Sequence, residues 1–493
     1  MAGSRTGPRL ACALALAVLI PVAAARASVI RVGRAPAVPA GARFVGSVPA
    51  ATPLHITVAL RPRDPSALVA YARAVSTPGS ASYRRYLTPA GFARRFGATS
   101  AQISAVRRSL RAHGLIPGAV SRGALSISVV AGAARLERAF SVSLRRMTLR
   151  DGRMAIRASA APAVPASLGR TVQAVVGLNS TAVPRPLLVR ARPGTRGTSE
   201  RGPLSRGHVV TGGPEPCGSA SAAAPGQQAF TADQIASAYG FSGLYGAGDT
   251  GGGVTVAVYE LESDDPADIA AYQSCYGTHA TISYVPVDEG AGTGPGSGEA
   301  ALDIENLIGL APNVNVLVYQ GPNSNSGAPG SGPYDTFSAI VNQDRARVAT
   351  ISWGQCEKAL GPTDAAAENT LFEQATVQGQ SIVAAAGDSG AEDCDTGGAL
   401  PQNQAAVDDP SSQPFVTGVG GTTLQALGPR PTESVWNSGG TILTGMLQPG
   451  ASGGGISTLW AMPAPQLDST AALNVRTAQA AGSACGHPGS FCR

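Results

Sequence analysis

The segment SIVAAAGDSG, residues 381–390, has the pattern of a buried strand that ends in a turn of small residues. Three apolar runs of similar length precede it, at 254–259, 314–319 and 348–353, with helix-length segments between them. Apolar strands that alternate with helices are typical of a parallel sheet covered on both faces. The pattern therefore predicts an α/β domain over residues 228–493, with functional residues at the carboxyl ends of its strands.

The turn that ends the quoted strand, Gly387-Asp388-Ser389-Gly390, carries one acidic side chain. An aspartate in such a turn often accepts hydrogen bonds from backbone amides, which is a structural role. In a hydrolase that works in acid, a protonated aspartate can instead donate a hydrogen bond to an oxyanion. The two roles need different protonation states, and the sequence leaves both open.

A pair of acids, Glu299 and Asp303, stands four residues apart on a predicted helix over 298–310. This spacing places both carboxylates on one helix face, where their repulsion raises the proton affinity of at least one of them. Such a pair is more often a solvated face than a catalytic pair, so it becomes a catalytic candidate only together with other site residues.

Two segments rich in small residues offer exposed backbone to an extended substrate. The predicted substrate-binding residues are Ser352, Trp353, Gly354, Ser452, Gly453 and Gly454. Either segment alone is weak evidence, and a tryptophan at a strand end is commonly part of the core or of a pocket rim.

Residues 28–181 show a mixed pattern that predicts an α+β domain. Alternating apolar residues from 54 to 60 indicate a strand. Ser100 is predicted to cap a helix that ends near Gly114. The segment 167–178 is predicted to be a further helix.

The linker between the two predicted domains spans residues 182–227 and is rich in Pro, Gly, Ser and Arg. This composition predicts an exposed segment with a proteolytic processing site.

Residues 1–27 have the pattern of a secretory signal peptide, with two arginines, an apolar run from 10 to 24 and a small-x-small motif at 25–27. The apolar run is shorter than the roughly 20 residues that span a bilayer. We therefore expect cleavage after Ala27 and a secreted, extracellular protein without a membrane anchor.

Six cysteines remain after removal of this segment, an even set in an oxidising compartment, which predicts disulfides. Many pairings are possible, and zinc is disfavoured because the chain has no Cys-x-x-Cys pair. The preferred pairs are Cys217–Cys275, Cys356–Cys394 and Cys485–Cys492.

Charge is divided unevenly along the chain. Residues 1–227 hold 31 arginines and 5 acids, a net charge of +26, whereas residues 228–493 have a net charge of −20. A basic segment alone is compatible with nucleic-acid or membrane binding. An acidic domain on the same chain is a simpler partner, so we expect intramolecular docking in a monomer, with no nucleic acid and no membrane.

The motifs in both halves resemble a known peptidase family. Residues 28–181 are similar to a pro-kumamolisin activation domain, and residues 228–493 are similar to most of a sedolisin-type peptidase of the S53 family. The matching residues in the first part are Tyr86-Leu87-Thr88-Pro89, Phe92, Phe96, Phe140, Pro162-Ala163-Val164-Pro165 and Val176-Gly177-Leu178. Those in the second part are Ala238-Tyr239-Gly240, Glu299 with Asp303, Ser352-Trp353-Gly354, Gly387-Asp388-Ser389-Gly390 and Ser452-Gly453-Gly454-Gly455.

The resemblance implies a subtilisin-like, mostly parallel sheet with helices on both faces, preceded by an α+β prodomain. It also implies an acid-acting endopeptidase of proteins or peptides with a Ser-Glu-Asp mechanism. Glu299 is then the general base for a serine, Asp303 supports Glu299, and Asp388 supplies the oxyanion-hole donor, while Trp353 helps to wall the substrate pocket. A Ser-His-Asp triad is disfavoured, because none of the five histidines lies in a recognisable catalytic turn.

Two parts of the family pattern are not found before Arg493: the Gly-Thr-Ser-Ala turn with the nucleophilic serine, and most of the ligands of the calcium ion that the resemblance implies. No metal ligand is assigned, and the triplet Gly197-Thr198-Ser199 lies in the predicted linker. We therefore expect the chain to be C-terminally incomplete and inactive as it stands. It is then either part of an active enzyme or a non-catalytic binding or inhibitory protein.

Overall fold

The computed structural model describes residues 3, 28–35, 37–186, 208–227, 229–323, 330–391, 394, 406–427, 431–437 and 450–467. Apart from residue 3, the predicted signal peptide lies outside the described residues, as do the central part of the predicted linker and the predicted pair Cys485–Cys492. Among the helices of the described ranges, none combines the length and the apolar character of a membrane span.

The N-terminal domain is an α+β unit, as predicted, and its strands pair antiparallel. Its strands are β1 (Val29–Arg31), β2 (Arg43–Ser47), β3 (Pro53–Leu60), β4 (Pro117–Val120), β5 (Ser126–Gly132), β6 (Leu144–Thr148), β7 (Met154–Ala158), β8 (Ala163–Pro165) and β9 (Val172–Val176), and its helices are α1 (Pro65–Ser76), α2 (Pro89–Arg95), α3 (Ser100–Ala112) and α4 (Ala133–Phe140). The strands form sheets in the orders β4-β5-β3-β9, β2-β6-β7 and β1-β8. Alternate residues of β3 point into the core formed with α3 and α4, as its period-two pattern predicts.

Two predictions in this domain are corrected by the structure. The segment 167–178, predicted to be a helix, contains the end of a 3₁₀ turn (Ala166–Leu168) and then the strand β9. β9 pairs with β3, and its valines are β-branched residues that suit a pleated surface better than a helix. The helix α3 is capped by Thr99 rather than by Ser100, because Thr99 and Gln102 form a capping box.

The rest of the described chain forms the C-terminal domain and the strand that leads to it. Its strands are β10 (Arg185–Pro186), β11 (Thr255–Glu260), β12 (Thr281–Pro286), β13 (Asn315–Gln320), β14 (Val348–Ile351), β15 (Trp353–Cys356), β16 (Ser381–Ala385), β17 (Asp408–Asp409), β18 (Thr417–Val419), β19 (Thr422–Ala426) and β20 (Thr432–Val435). Its helices are α5 (Gly218–Gln227), α6 (Ala232–Ala238), α7 (Ser242–Gly246), α8 (Pro266–Tyr276), α9 (Ser297–Leu310), α10 (Gly332–Gln343), α11 (Glu357–Leu360), α12 (Pro362–Gln378) and α13 (Ala464–Leu467). Two parts of the predicted linker are therefore structured, as β10 and α5.

A parallel sheet of six strands forms the centre of this domain in the described residues, in the order β12-β13-β11-β14-β16-β18. The subtilisin-like α/β class predicted from the sequence is confirmed. The four predicted apolar runs correspond to β11, β13, β14 and β16. The edge strands β12 and β18 have no such run, because edge strands are less buried than central ones.

Helices cover both faces of this sheet. Val256 and Val258 of β11 pack with residues of α8 and α9 on one face. Ala257 and Tyr259 pack with residues of α10 and α12 on the other face. Because successive residues of a strand point to opposite faces, a continuous apolar run serves both layers, and α9 is held above the carboxyl end of β11.

The predicted strand at 348–353 is interrupted at Ser352. β14 ends at Ile351 in the parallel sheet, and β15 begins at Trp353 in a separate antiparallel sheet of the order β10-β15-β17. The chain therefore leaves the main sheet at the carboxyl end of β14, which is where functional residues of parallel sheets gather.

The N-terminal domain packs against α10 and α12 of the C-terminal domain. Ala174 of β9 lies in one hydrophobic cluster with Phe337 of α10 and Leu371 of α12. Nearby, the backbone N–H of Gly123 donates to Asn342 Oδ1 at 2.7 Å in a buried hydrogen bond. Apolar packing and neutral hydrogen bonds therefore contribute to the docking of the two domains.

A polar cluster of His55, Asp288 and Asp335 crosses the same interface. His55 Nδ1 lies 3.5 Å from Asp288 Oδ2, and the hydroxyls of Thr57 and Ser331 donate to Asp335 at 2.7 and 2.5 Å. Burial, reinforced by the charge of Asp288, raises the pKa of Asp335 to about 8, although the two hydroxyl donors oppose this. Asp335 therefore holds a proton in the docked state at neutral pH.

Candidate active site

Acidic side chains from three elements meet at the carboxyl edge of the parallel sheet. Glu260 is the last residue of β11, Glu299 and Asp303 lie on α9, and Asp388 follows β16. Glu260 and Glu299 are 0% and 2% exposed, respectively. Since exposed acids are the rule in proteins, this burial distinguishes the cluster from an ordinary solvated helix face.

Two hydrogen bonds from the chain between β14 and β15 organise the cluster. The Ser352 hydroxyl donates to Asp303 Oδ1 at 2.7 Å, and the Trp353 indole N–H donates to Glu260 Oε2 at 2.8 Å. Other carboxyl oxygens remain without a hydrogen-bond partner among the described residues. These are Glu260 Oε1, Glu299 Oε2 and Asp303 Oδ2. The cluster therefore retains acceptor capacity for a hydroxyl group or a shared proton.

The pKa values of these acids are raised. Burial, followed by the charges of Asp303 and Asp388, raises the pKa of Glu299 to about 8, against a lowering effect of the Ser352 hydroxyl. Burial raises the pKa of Asp303 to about 6, opposed by hydrogen bonds from Ser352 and Glu260. Burial and the charge of Asp303 raise the pKa of Glu260 well above its usual range. The oxygens left for a proton shared between Glu260 and Asp303 are Glu260 Oε1 and Asp303 Oδ2, because Trp353 and Ser352 occupy the other two.

The turn at Asp388 is held by the segment around Gly453. The backbone N–H of Ala451 donates to the Asp388 carbonyl at 2.7 Å, and that of Gly453 donates to the Gly387 carbonyl at 2.7 Å. A Cβ atom on Gly453 would lie 1.9 Å from the Ala386 carbonyl oxygen, so no side chain fits there. The close approach of the two backbones fixes the turn that carries Asp388.

Replacing Gly453 with alanine is expected to lower the free energy of unfolding by about 1–3 kcal/mol, because the added methyl group forces the two backbones apart. Gly252→Ala is the matched control, since a Cβ atom there meets nothing within 4 Å. Urea unfolding of both variants and the unsubstituted chain measures the difference. Equal stability of the two variants would contradict the close approach.

The predicted substrate-binding residues fall into three structural settings. Ser352 lies within the acidic cluster, whereas Trp353 is 1% exposed and packs in the core beneath it. Gly354 belongs to β15. Gly453 supports the Asp388 turn, the Ser452 hydroxyl accepts the Gly421 N–H at 2.9 Å, and Gly454 follows with a φ of +149°. Their contact with a substrate remains a prediction.

An extended segment from the N-terminal side already lies along β15. β10 pairs antiparallel with it, with Arg185 opposite Gly354 and Pro186 opposite Trp353. The other edge of β15 pairs with β17. A peptide that binds beside Ser352 by strand addition therefore competes with residues 185–186.

Comparison with known proteins matches both halves of the chain. The profile of the pro-kumamolisin activation domain matches residues 40–181, and the profile of the subtilase family matches residues 251–481. Kumamolisin from Bacillus sp. (strain MN-32) is 30% identical over 428 residues, which cover 84% of this chain and 69% of kumamolisin.

The chain belongs to the sedolisin family. Sedolisin from Pseudomonas sp. (strain 101) is 30% identical over 84% of this chain and 67% of its own length. Xanthomonalisin from Xanthomonas sp. (strain T-22) is 31% identical over 84% of this chain and 51% of its own length. The chain thus spans about half to two thirds of these curated relatives. The solved complex of Pseudomonas sedolisin, a serine-carboxyl proteinase, with two molecules of pseudo-iodotyrostatin matches 53% of this chain and 68% of that one, at 23% identity and a TM-score of 0.41.

Two acids of this sedolisin-family site were not predicted from the sequence, Glu260 and Glu262. Both stand at the end of the apolar run of β11, in the segment YELESDD (residues 259–265). The available signal was an acid at the carboxyl end of a buried parallel strand. Their partners lie on α9 and β15, far away in sequence, so no pattern close to either residue identifies them.

Two of the three predicted disulfides are confirmed. Cys217 bonds Cys275, and Cys356 bonds Cys394. The second disulfide ties the end of β15 to the chain that follows the Asp388 turn, so it links two walls of the candidate site.

Proposed function

We propose that this chain is the precursor of a secreted, acid-acting serine-type endopeptidase with a Ser-Glu-Asp mechanism. The proposal rests on the cluster of Glu260, Glu299 and Asp303, in which Glu299 Oε2 has no hydrogen-bond partner among the described residues. Burial of acids without cations is costly. Acids with strongly shifted pKa values at the edge of a parallel sheet are typical of active sites, so the cost is best explained by catalysis.

In this proposal, Glu299 is the general base. Its unpartnered oxygen accepts the proton of a serine hydroxyl as the serine oxygen attacks the peptide carbonyl, and the proton then passes to the leaving amine. Water repeats the sequence to release the acyl group. Asp303 orients and supports Glu299, and a protonated Asp388 donates a hydrogen bond to the oxyanion. No residue of this chain is assigned as the serine.

A general base must be ionised, whereas the pKa of Glu299 is raised to about 8 in the docked state. The base role requires this pKa to fall when the site opens to water, because burial is the main cause of the raised value. The carboxylate can then accept a proton under acid conditions in which a histidine, with an ordinary pKa of about 6.5, is charged. By linkage, this raised pKa stabilises the closed site in acid, so release in acid must come from the charges between the two domains.

A second candidate is a non-catalytic binding or inhibitory protein in which the N-terminal domain clamps the C-terminal domain. The pairing of β10 with β15 favours it, because the strand next to Ser352 is already occupied. The two candidates differ in whether residues 185–186 can leave β15.

The test is acid processing of the natural gene product, including any in-frame continuation after the Arg493 codon. Acid protonates the carboxylates of the C-terminal domain and weakens its attraction to the basic N-terminal segment. We expect cleavage within 182–227 at about pH 4 and none at neutral pH, with one fragment beginning at Ser28. N-terminal sequencing of both fragments, with Glu299→Ala as the control, measures this.

Two outcomes count against the peptidase. An uncut precursor at about pH 4, alongside an active, separately prepared C-terminal domain, contradicts autoprocessing. An absence of both processing and reporter-peptide cleavage from pH 3 to 7 (roughly the acid range around the carboxyl pKa values) favours the non-catalytic candidate.

The calcium ion implied by the family has no fitting ligand set in the described residues. The group there that could hold a metal is His55, Asp288 and Asp335. Calcium prefers six to eight oxygen ligands, whereas this group includes a nitrogen, and its Asp335 oxygens already accept hydroxyl hydrogen bonds. No catalytic step is therefore derived through calcium.

A further inference from the structure

The helix that carries Glu299 begins in a glycine-rich loop without a cap of its own. Gly296 occupies the N-cap position of α9 and has no side chain to accept the first helical N–H groups. Free N–H groups at a buried helix start need acceptors from elsewhere. Glu262, which follows β11, supplies one: the Gly296 N–H donates to Glu262 Oε2 at 2.5 Å in a buried hydrogen bond.

The loop before α9 (residues 292–296) is clamped between the side chains of Glu262 and Trp353. A Cβ atom on Gly294 would lie 2.6 Å from Glu262 Oε2, and one on Gly296 would lie 2.5 Å from the Trp353 ring. The neighbouring Ser263 N–H donates to the carbonyl of Gly292 at 2.9 Å. Glu262 itself is 7% exposed. A side chain at 294 or 296 would therefore have to displace Glu262 or Trp353.

This clamp is directly connected to Glu299. The N–H of Gly296 binds Glu262, and the carbonyl of Gly296 accepts the N–H of Glu299 at 2.9 Å. A negative side chain at a helix N-terminus also favours the helix electrostatically. Glu260 ends β11 and faces Asp303, whereas Glu262, two residues later, faces the start of α9.

We propose that Glu262 is a positioning residue that fixes the first turn of α9 and thereby the place of the Glu299 carboxylate. The catalytic consequence of this inference rests on the proposed function. Its structural consequence, the ordering of residues 292–299 by Glu262, does not. Glu262 acts through the backbone of Gly296 and has no contact with a reacting atom in this role.

The kinetic test compares Glu262→Ala, Glu262→Gln and Asp265→Ala in the acid-processed natural gene product. Asp265 is a matched control, because its carboxylate caps α8 through the Ala267 N–H at 2.9 Å, outside the site. We expect Glu262→Ala to lower kcat by roughly 10–100-fold with KM within about two-fold, since small displacements of catalytic groups have effects of this size. Glu262→Gln keeps an acceptor oxygen and should retain kcat within about three-fold, and Asp265→Ala should not change it.

The structural test is amide hydrogen exchange of the segment 292–300 in the unprocessed full chain. Faster exchange in Glu262→Ala than in Glu262→Gln or Asp265→Ala, by about ten-fold, is expected from loss of the cap. Equal exchange in the three variants, or an unchanged kcat in Glu262→Ala despite faster exchange, overturns the inference. Absence of turnover in the unsubstituted protein defeats the proposed function instead, and the exchange comparison still decides whether Glu262 orders the loop.

Discussion

Replacing Glu299 with glutamine is expected to lower kcat by about 10³-fold or more. Glutamine has nearly the same shape and can keep the hydrogen bonds of the carboxylate, but it cannot accept the proton of the nucleophile. Loss of one member of a nucleophile-base unit has effects of this size in serine hydrolases. The linker of each variant of the natural gene product is first cut by an added protease, which is then removed. Cleavage of an internally quenched peptide, followed from pH 3 to 7 (roughly the range in which the site's acids titrate), measures the loss.

Glu305→Gln is the matched control for this variant. Glu305 is a half-buried acid on the same helix, and burial, together with the charge of Asp268, raises its pKa. It makes no contact with the acidic cluster in the proposed mechanism, so we expect its kcat to stay within about two-fold. A Glu299→Gln enzyme with activity similar to that of Glu305→Gln would refute the assignment of Glu299 as the base.

The second large effect is a loss of stability as the pH rises from about 5 to 8. Several buried acids hold protons in the folded chain because burial raises their pKa values: Asp303 to about 6, Asp364 and Glu373 to about 7, and Glu299 and Asp335 to about 8. In the unfolded chain these groups have ordinary pKa values near 4. Folding therefore takes up protons throughout this pH range.

The sign follows from this difference in bound protons. Below about pH 4 both states are protonated and the full stability is present; as the pH rises toward the folded-state values, the unfolded chain releases protons that the folded chain retains. The free energy of unfolding then falls by up to about 1.4 kcal/mol per pH unit for each group. Urea unfolding of the full chain at intervals between pH 4 and 8 (about the span between the two sets of pKa values) measures the slope.

Asp335→Asn isolates one of these groups. The amide oxygen can still accept from one of the hydroxyls of Thr57 and Ser331, and the amide NH2 can donate to the other. The amide binds no proton, so the slope of the unfolding free energy against pH should decrease by about the contribution of one group. Asp249→Asn, at an exposed position, should leave the slope unchanged. A free energy of unfolding that is constant or increases over this range would show that these acids do not have raised pKa values in the folded chain.

The sequence was most informative where local pattern and tertiary structure agree. The apolar runs of β11, β13, β14 and β16 predicted the parallel sheet because a strand buried on both faces must be apolar throughout. The spacing of Glu299 and Asp303 predicted a shared helix face, and their proximity to Asp388 followed from the common carboxyl edge of the strands. The pairs Cys217–Cys275 and Cys356–Cys394 were also predicted correctly.

The features that were missed depend on partners distant in sequence. The segment 167–178 was wrongly predicted to be helical because its pairing with β3 lies more than 100 residues away. Glu262 and Gly296 are 34 residues apart, and the role of either is invisible without the other. The break at Ser352 was hidden within an apolar run that reads as one strand, although it is the point where the chain turns from the sheet into the site.

The strand pairing between β10 and β15 makes occupancy of the site independent of how much protein is present. A blocking segment on the same chain acts at an effective concentration that is commonly about millimolar for a short flexible connection, so dilution of the intact chain does not clear β15. A single cut in the connection turns the same contact into an encounter between two molecules. From that moment the two parts can separate on dilution, to an extent set by the affinity of the whole interface.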